Sequence, residues 1–334
     1  MFPARVGDQY GYINSRGQMV IKPQFDSAET FHDGLALVTQ GGTKIDLGEG
    51  VSTRMMGKPG YIDRTGKFVI QPGKYAFANS FSEGLAAVWI SSPCDRSCYG
   101  YIDTTGKLVL PQKYQTADTF VKGTAAVRMP DDKWGVIDKT GRFIIPPNYD
   151  GVFPFYENVG IAITIKNKKP SPFDQELSDF VVEFYDLDGT VVARPEFFVF
   201  GIFENGLVPI MTKSGMGFVD KRGNLTIAPS FERASGFSEG LSPVRVNKKW
   251  GYINPSGKFV IDPAFDDALP FSEGLARVAV NGKQGYIDSS GKYTIQPQNW
   301  EVFQFEDGLA IARGQGWRGY IDKTGKVVWR TKDP

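Results

Sequence analysis

Two cysteines, Cys94 and Cys98, are the residues of this 334-residue chain with the most direct chemical potential. They lie in the short stretch Ser-Ser-Pro-Cys-Asp-Arg-Ser-Cys, which leaves three interpretations open. The leading one is a disulfide that pins a loop, and it implies an oxidising compartment. A metal site is weaker, because two thiolates need two further ligands and the sole histidine, His32, lies far along the chain. Two free thiols are the third interpretation.

A single histidine leaves no residues for a Ser–His–Asp or Cys–His arrangement, and we expect His32 to be a turn residue. Acids recur at another position, before x-x-Gly: Asp63, Asp103, Asp138, Asp186, Asp220, Asp288 and Asp322. Asn14 and Asn254 occupy that position elsewhere. Because Asn replaces Asp well in an Asx turn and poorly as a general acid or base, we predict turns there. We expect no catalytic residue, no metal and no other cofactor.

A second acid recurs before Gly-Leu, at Glu83, Glu239, Glu273 and Asp307, and we predict that it also is a turn residue. The net charge of +1 argues against a broad basic surface, so no nucleic-acid partner is expected. No apolar run approaches the roughly 18–20 residues that span a membrane. The first residues lack the pattern of a secretory signal. The expected location is therefore cytoplasmic, or exported if the two cysteines are bonded.

A repeated motif runs through the whole chain and accounts for its 39 glycines and 13% aromatic residues. The string Gly–aromatic–aliphatic–Asp/Asn, or a variant of it, occurs nine times. The copies start at Gly11, Gly60, Gly100, Gly135, Glu183, Gly217, Gly251, Gly285 and Gly319. The last five starts are 34 residues apart, and the longer earlier spacings indicate insertions into the same repeat.

Residues 249–278 contain the fullest copy, which runs from Lys-Trp-Gly-Tyr-Ile-Asn to Ser-Glu-Gly-Leu-Ala-Arg-Val. This text resembles the WG-repeat (also called KWG) family of bacterial proteins, and the resemblance extends over residues 4–330. The Trp-Gly pair is intact only at Trp134 and Trp250. Its tryptophan is replaced elsewhere by Tyr10, Pro59, Tyr99, Met216, Gln284 and Arg318. The resemblance implies a propeller-like β-repeat scaffold and no general enzymatic activity.

Each repeat predicts a four-stranded antiparallel β-meander, of which the first strand is the weakest. Asn281-Gly282 predicts a two-residue hairpin turn, and Pro297 is expected to end the last strand of its copy. Four short strands cannot bury a face alone, so neighbouring copies must stack. We predict that aromatic residues at fixed positions form the core between copies, as at Phe31, Phe81, Phe120, Phe237, Phe271 and Phe305.

The sequence therefore predicts an all-β fold made of tandem 34-residue antiparallel β-meander repeats in a propeller-like arrangement, with an open β-superhelix or solenoid as the alternative. About nine WG-type repeats form one continuous array over residues 4–330, followed by a tail at 331–334. The first copy lacks its first strand.

Three insertions, near 39–59, 89–99 and 164–182, fall at the same hairpin of their copies. Because stacked repeats place equivalent hairpins on one rim, we predict a binding edge in the N-terminal half. Drifted loops without a role are the alternative, and for the basic stretch a solvated loop. The candidate rim residues are Arg54, Met55, Met56, Trp89, Lys166, Lys168, Lys169 and Phe173.

These observations predict a non-catalytic scaffold that binds another protein through one rim or face. One alternative is a module that binds a glycan or another ligand, which Trp89 and a disulfide would favour. The other is the regulatory or targeting part of an enzyme whose catalytic domain lies outside this chain.

Overall fold

The computed structural model describes residues 1–48, 51–55, 57–90, 98–169 and 176–332, with the side chains of 44–55 left out. The chain divides into two compact units, unit 1 (Met1–Asn148) and unit 2 (Tyr149–Pro334). Strands of the described residues form nine small antiparallel sheets, here called blades 1 to 9 in chain order, and one separate hairpin. No helix in the described residues is long and apolar enough to cross a membrane.

Unit 1 contains blades 1 to 4. Blade 1 consists of β1 (Phe2–Val6), β2 (Gln9–Ile13) and β3 (Met19–Phe25). Blade 2 consists of β4 (Ser27–His32), β5 (Leu35–Gln40), β8 (Lys58–Ile62) and β9 (Phe68–Ile70), and between β5 and β8 lies the hairpin of β6 (Thr43–Gly48) and β7 (Val51–Met55). Blade 3 consists of β10 (Phe77–Ala78), β11 (Leu85–Trp89), β12 (Tyr99–Asp103) and β13 (Leu108–Tyr114). Blade 4 consists of β14 (Thr116–Ala117), β15 (Thr124–Arg128), β16 (Trp134–Asp138) and β17 (Phe143–Tyr149).

Unit 2 contains blades 5 to 9. Blade 5 consists of β18 (Gly151–Tyr156), β19 (Val159–Ile165), β20 (Phe180–Tyr185) and β21 (Val191–Ala193), with a 3-10 turn at Leu177–Asp179. Blade 6 consists of β22 (Phe198–Val199), β23 (Leu207–Thr212), β24 (Gly215–Asp220) and β25 (Leu225–Phe231). Blade 7 consists of β26 (Arg233–Ala234), β27 (Ser242–Val246), β28 (Lys249–Ile253) and β29 (Phe259–Phe265). Blade 8 consists of β30 (Asp267–Ala268), β31 (Ala276–Val280), β32 (Lys283–Ile287) and β33 (Tyr293–Gln298). Blade 9 consists of β34 (Glu301–Glu306), β35 (Leu309–Gly314), β36 (Trp317–Asp322) and β37 (Val327–Lys332).

The predicted all-β repeat fold is confirmed, and the sheets are blades of the β-propeller type. Blade 1 lacks a first strand, as expected, and the first strand of blades 3, 4, 6, 7 and 8 is only two residues long. Asn281 and Gly282 have φ of 51° and 75°, which suits the predicted two-residue hairpin turn. The insertions of blades 2, 3 and 5 all lie between the second and third strands.

The last strand of a blade differs from the prediction, because β33 continues past Pro297 to Gln298. The pairing of β32 with β33 shifts register between Gln284 and Tyr286, so a bulge accommodates the proline. β33 is also the last strand in its sheet, where a missing N–H is tolerated. The third and fourth strands of a blade also pass close to each other at the glycine of the motif. In blade 7, a Cβ at Gly251 would lie 2.5 Å from the Ile261 carbonyl oxygen.

Successive blades within a unit are joined by pairs of aromatic rings, which confirms the predicted core between copies. In unit 2, Tyr252 of blade 7 packs on Phe271 of blade 8 with ring centroids 5.0 Å apart. The equivalent pairs are Tyr12–Phe31, Tyr61–Phe81, Tyr101–Phe120, Phe184–Phe203, Phe218–Phe237 and Tyr286–Phe305. The Tyr252 hydroxyl also donates a hydrogen bond to the Leu269 carbonyl oxygen of blade 8 at 2.8 Å. Each blade thus covers the face that its neighbour cannot bury alone.

Candidate functional site

The recurring acids before x-x-Gly form the predicted Asx turns. Asp322 Oδ1 accepts hydrogen bonds from Thr324 N at 2.9 Å, Thr324 Oγ1 at 2.6 Å and Lys326 N at 3.1 Å. Asn254 Oδ1 accepts the same three bonds from the residues two and four positions on. Partial burial raises the pKa of Asp322, but the bonds from Thr324 outweigh it and hold that pKa below its usual range. One side-chain oxygen at this position, Oδ1, is therefore engaged by the turn in both residues.

The acids before Gly-Leu have a second role that the sequence analysis missed. Glu83 lies in a turn with φ of 55°, and its carboxylate accepts a hydrogen bond from Gly123 N of the next blade at 2.9 Å. Lys139 of that blade lies 3.0 Å from the same oxygen. Unit 2 repeats this clasp between blades as Glu157 with Gly206 and Lys221, and as Glu273 with Gly308 and Lys323. The signal in the sequence was the lysine after the turn Asp of the following blade.

Two other ionisable sites are also engaged within the chain. His32 is exposed, and its Nε2 lies 2.8 Å from Thr30 Oγ1. In the degenerate copy, Glu183 Oε2 accepts a hydrogen bond from the Tyr149 hydroxyl at 2.7 Å, and Arg194 Nε donates to Glu183 Oε1 at 2.7 Å. Partial burial raises the pKa of Glu183, but the bonds from Tyr149, Arg194 and Tyr185 outweigh this effect and hold that pKa below its usual range. The Glu183 carboxylate is therefore an acceptor that is already occupied.

The candidate residues of the first insertion lie on or beside the β6–β7 hairpin. Arg54 and Met55 belong to β7, whose side chains are outside the described part of the chain. Met56 and Phe173 fall entirely outside the described residues. Neither β6 nor β7 pairs with any third strand among the described residues.

The predicted basic loop is partly neutralised within blade 5. Lys168 Nζ lies 2.9 Å from Asp150 Oδ1, and the Asp150 side chain is nearly buried. Lys169 Nζ lies 3.6 Å from Glu176 Oε1. Lys166 follows β19 and is exposed. With two of its three lysines paired to acids of the same blade, this stretch presents less positive charge than its sequence indicates.

Trp89 belongs to a row of aromatic side chains across blade 3. Phe77 pairs with Trp89, and Trp89 pairs with Tyr99, on three neighbouring strands. Phe77 is 50% and Trp89 39% exposed, while the Tyr99 ring lies 6.0 Å from that of Trp89. Cys98, directly before Tyr99, is disulfide-bonded. Cys94, the other cysteine of the sequence, lies outside the described residues.

Unit 1 also contains a cavity of about 530 Å³ at the base of the β6–β7 hairpin. Its lining comes from blades 2, 3 and 4 and from the residue before β8. The lining residues are Ser27, Glu29, Leu37, Thr39, Gly57, Pro59, Ala76, Phe77, Ala78, Asn79, Ser80 and Thr119. Of the candidate rim residues whose side chains the structure describes, Trp89, Lys166, Lys168 and Lys169, none lines it, although Gly57 and Pro59 lie within the predicted insertion.

The cavity arises at a row of three residues that face each other across β4, β5 and β8: Ser27, Thr39 and Pro59. Pro59 occupies the tryptophan position of the motif. The equivalent rows of the other four-stranded blades each include a longer side chain, as in Phe77–Trp89–Tyr99, Thr116–Arg128–Trp134, Gly151–Ile163–Val182, Phe198–Met211–Met216, Arg233–Arg245–Trp250, Asp267–Ala279–Gln284 and Glu301–Arg313–Arg318.

In blades 6 and 8 the residue at the tryptophan position reaches the first strand of the next blade. Gln284 Oε1 accepts a hydrogen bond from Val302 N at 2.8 Å, and Met216 Sδ accepts one from Ala234 N at 3.2 Å. The residue of blade 3 equivalent to Ala234 is Ala78, which lines the cavity. The Pro59 side chain is short and has no hydrogen-bond acceptor, so the space between it and the first strand of blade 3 stays open.

The cavity has the size and the mixed lining of a small-molecule binding site. Its volume lies within the range typical of small-molecule sites. Among the lining residues that the structure describes, the polar side chains are hydroxyls, one amide and one carboxylate, and none is a histidine, cysteine, lysine or arginine. No group of three or more metal-ligating side chains occurs anywhere in the described residues.

Comparison with known proteins identifies the repeat. The family model described as WG containing repeat matches seven segments: residues 10–43, 60–88, 99–134, 134–169, 216–250, 250–283 and 285–315. No curated protein matches the chain. The crystal structure of the computationally designed Ika8 protein is similar over 89% of this chain and 93% of its own, with 13% identity and a TM-score of 0.48. The designed Ika4 protein matches over 36% of this chain and 87% of its own, with 14% identity and a TM-score of 0.27.

Proposed function

Since the chain belongs to the WG containing repeat family, we propose that it is a non-catalytic scaffold that binds another protein through the hairpin edge of unit 1. The observation that supports this most is the β6–β7 hairpin. It extends from blade 2 as a two-stranded sheet without a further strand partner in the described chain. Such a hairpin is marginal in water by itself, and its strand edges are suited to pairing with an added strand.

Exposed apolar surface at the same position of the next blade supports the proposal. Trp89 ends β11 and is 39% exposed, and tryptophan is enriched among the residues that dominate the energy of protein interfaces. Since the insertion of blade 3 follows directly, two neighbouring blades are modified at one hairpin. The disulfide at Cys98 favours an oxidising compartment for this function.

A non-catalytic role fits the way in which the ionisable residues are used. The recurring acids bind backbone N–H groups of turns or of the next blade, and Glu183 is occupied by two tyrosines and an arginine. A general acid or base needs an available atom within hydrogen-bond reach of its substrate.

The hairpin can be removed without disturbing its blade. Gln40 and Lys58 are paired residues of β5 and β8, so Asn-Gly in place of residues 41–57 would close the blade as Asn281-Gly282 closes blade 8. We expect this variant and Trp89→Ser to fold. Neither should bind the proteins that the full-length chain captures in pull-down and cross-linking experiments. Phe259→Ser, a similarly exposed position in unit 2, is the control and should keep them. An unchanged set of captured proteins in both test variants would contradict the proposal.

A glycan-binding module is the second candidate, and the cavity beside Phe77 favours it. A half-exposed aromatic ring among hydroxyl, amide and carboxylate groups is a composition suited to sugars. Replacing residues 41–57 removes one lining residue, Gly57, and should weaken sugar binding within unit 1 but leave it measurable, whereas Pro59→Trp should remove it.

A further inference from the structure

We infer that the cavity of unit 1 is a binding site for a neutral sugar of one or two rings; this rests on the second candidate function and gives it a site and a ligand class. The juxtaposition that carries the inference is a row of small residues, Ser27, Thr39 and Pro59, opposite the first strand of blade 3. At the same place, Met216 of blade 6 and Gln284 of blade 8 reach across to the first strand of the next blade.

The opening is built into a well-packed interface. Directly beside it, Tyr61 packs on Phe81 with ring centroids 4.7 Å apart and donates a hydrogen bond to the Asn79 carbonyl oxygen at 2.6 Å. Ser27 Oγ and Thr39 Oγ1 are 2.8 Å apart and hydrogen-bonded, which fixes both hydroxyl groups at the wall. The walls are therefore held in place before a ligand arrives, and this reduces the ordering cost of binding.

The lining chemistry favours a ligand with many hydroxyl groups. Ser27, Thr39, Ser80 and Thr119 provide hydroxyls that both donate and accept, and Asn79 provides an amide. Such groups match sugar hydroxyls, which also donate and accept. The exposed ring of Phe77 provides an apolar surface for the C–H face of a pyranose. A volume of about 530 Å³ suits one or two sugar rings.

The charge of the described lining disfavours an anionic ligand. Glu29 is the single ionisable residue among the lining residues that the structure describes, and none of these is a lysine or arginine that could balance a phosphate or carboxylate. A carboxylate can instead accept hydrogen bonds from two adjacent sugar hydroxyls. An organic cation would also meet a carboxylate and an aromatic ring here, so the experiment must separate it from a sugar.

The test is a calorimetric titration of the full-length protein with glucose, galactose, N-acetylglucosamine, maltose and cellobiose, and with glucose 6-phosphate and choline for comparison. We expect saturable binding of at least one neutral sugar, and binding weaker by about tenfold or more for glucose 6-phosphate. Pro59→Trp restores the tryptophan of the motif and should abolish binding. Phe77→Ala should weaken binding by about tenfold, a loss near 1.4 kcal/mol.

Controls separate a lost site from a lost fold. Phe259→Ala removes an exposed ring from unit 2 and should bind the sugar like wild type. If Pro59→Trp fails to fold, Thr39→Val removes a wall hydroxyl at nearly constant volume and should weaken binding. The inference is overturned if no neutral sugar binds, if choline alone binds, or if Phe77→Ala and Thr39→Val both bind as tightly as wild type. Protein capture by the hairpin edge does not depend on these results, so the two failures are distinguishable.

Discussion

Replacing Tyr252 with Phe is expected to destabilise unit 2 by about 1–2 kcal/mol, because it removes one hydrogen bond between blades 7 and 8. The Tyr252 ring is fully buried, and its hydroxyl donates to the Leu269 carbonyl oxygen at 2.8 Å. Without the hydroxyl, a partly buried carbonyl loses a partner while the packing of the ring on Phe271 is kept. The low end of the usual penalty for an unsatisfied group applies, since Leu269 is only half-buried.

The neighbouring interface shows how this loss can be repaired. Blade 6 has Phe218 at the position of Tyr252, so no hydroxyl reaches blade 7 from there. The equivalent carbonyl, at Ser235, instead accepts a hydrogen bond from Ser242 Oγ at 2.8 Å, and Ser242 is fully buried. The residue at the position of Ser242 in blade 8 is Ala276.

A double-mutant cycle follows from this exchange. Ala276→Ser in the Tyr252→Phe background should restore most of the lost stability, whereas Ala276→Ser alone should not stabilise. Urea unfolding followed by far-UV circular dichroism gives the free energies of the four proteins, and the coupling should be about 1 kcal/mol. At the interface between blades 6 and 7, Ser242→Ala in blade 7 should be destabilising and Phe218→Tyr in blade 6 should rescue it. Additive effects in the cycle, or a Tyr252→Phe protein as stable as wild type, would refute the reasoning.

Three further predictions concern a clasp between blades, an Asx turn and the motif glycine of β28. Partial burial raises the pKa of Glu83, but the bonds from Lys139 and from backbone N–H groups of the next blade outweigh it and hold that pKa below its usual range. The contribution of the Glu83 carboxylate to the free energy of unfolding should therefore be complete above about pH 5 and fall as the pH drops through the lowered pKa. Glu83→Gln should lower the stability to urea at pH 7, and the difference from wild type should shrink near pH 3. Asp322→Asn should keep the Asx turn and near-wild-type melting, as Asn254 does, while Asp322→Ala should lose about 1 kcal/mol in urea unfolding. Gly251→Ala should lower the free energy of unfolding by about 1–3 kcal/mol in the same measurement, because its Cβ would meet a carbonyl oxygen. Gly236→Ala, where the space is open, is the control, and an equal effect there would contradict the prediction.

Much of the fold could be predicted from the sequence, because each local signal is repeated. A turn such as Asn281-Gly282 is weak evidence in one hairpin, yet the same spacing recurs from copy to copy and fixes the strand positions around it. The Asx turns and the ring pairs were predictable for the same reason. Pro297 misled the prediction, because a proline next to a bulge in the last strand of a blade does not end the strand.

The contacts between blades were less accessible, since they join residues far apart in sequence. Glu83 and Lys139 are 56 residues apart, and the lysine after the turn Asp does not by itself indicate which acid it pairs with. The loss of the motif tryptophan at Pro59 was visible, but its consequence was not. Whether that space fills or stays open depends on Ser27 and Thr39, on two other strands, and on the next blade.

The cavity lies at positions of the repeat other than those that stack one blade on the next. The ring pair and the tyrosine hydroxyl that stack two blades lie on a different set of positions from the row that ends in the tryptophan. At blades 2 and 3, Tyr61 keeps both its ring contact with Phe81 and its hydrogen bond to blade 3, although the row has shrunk to small residues. A blade can therefore open a site at this row without losing the contacts that hold it to its neighbour. The row carries a different chemical combination in each four-stranded blade, aromatic in blade 3 and arginine-rich in blade 9, which is the pattern expected where stacking does not constrain the residues.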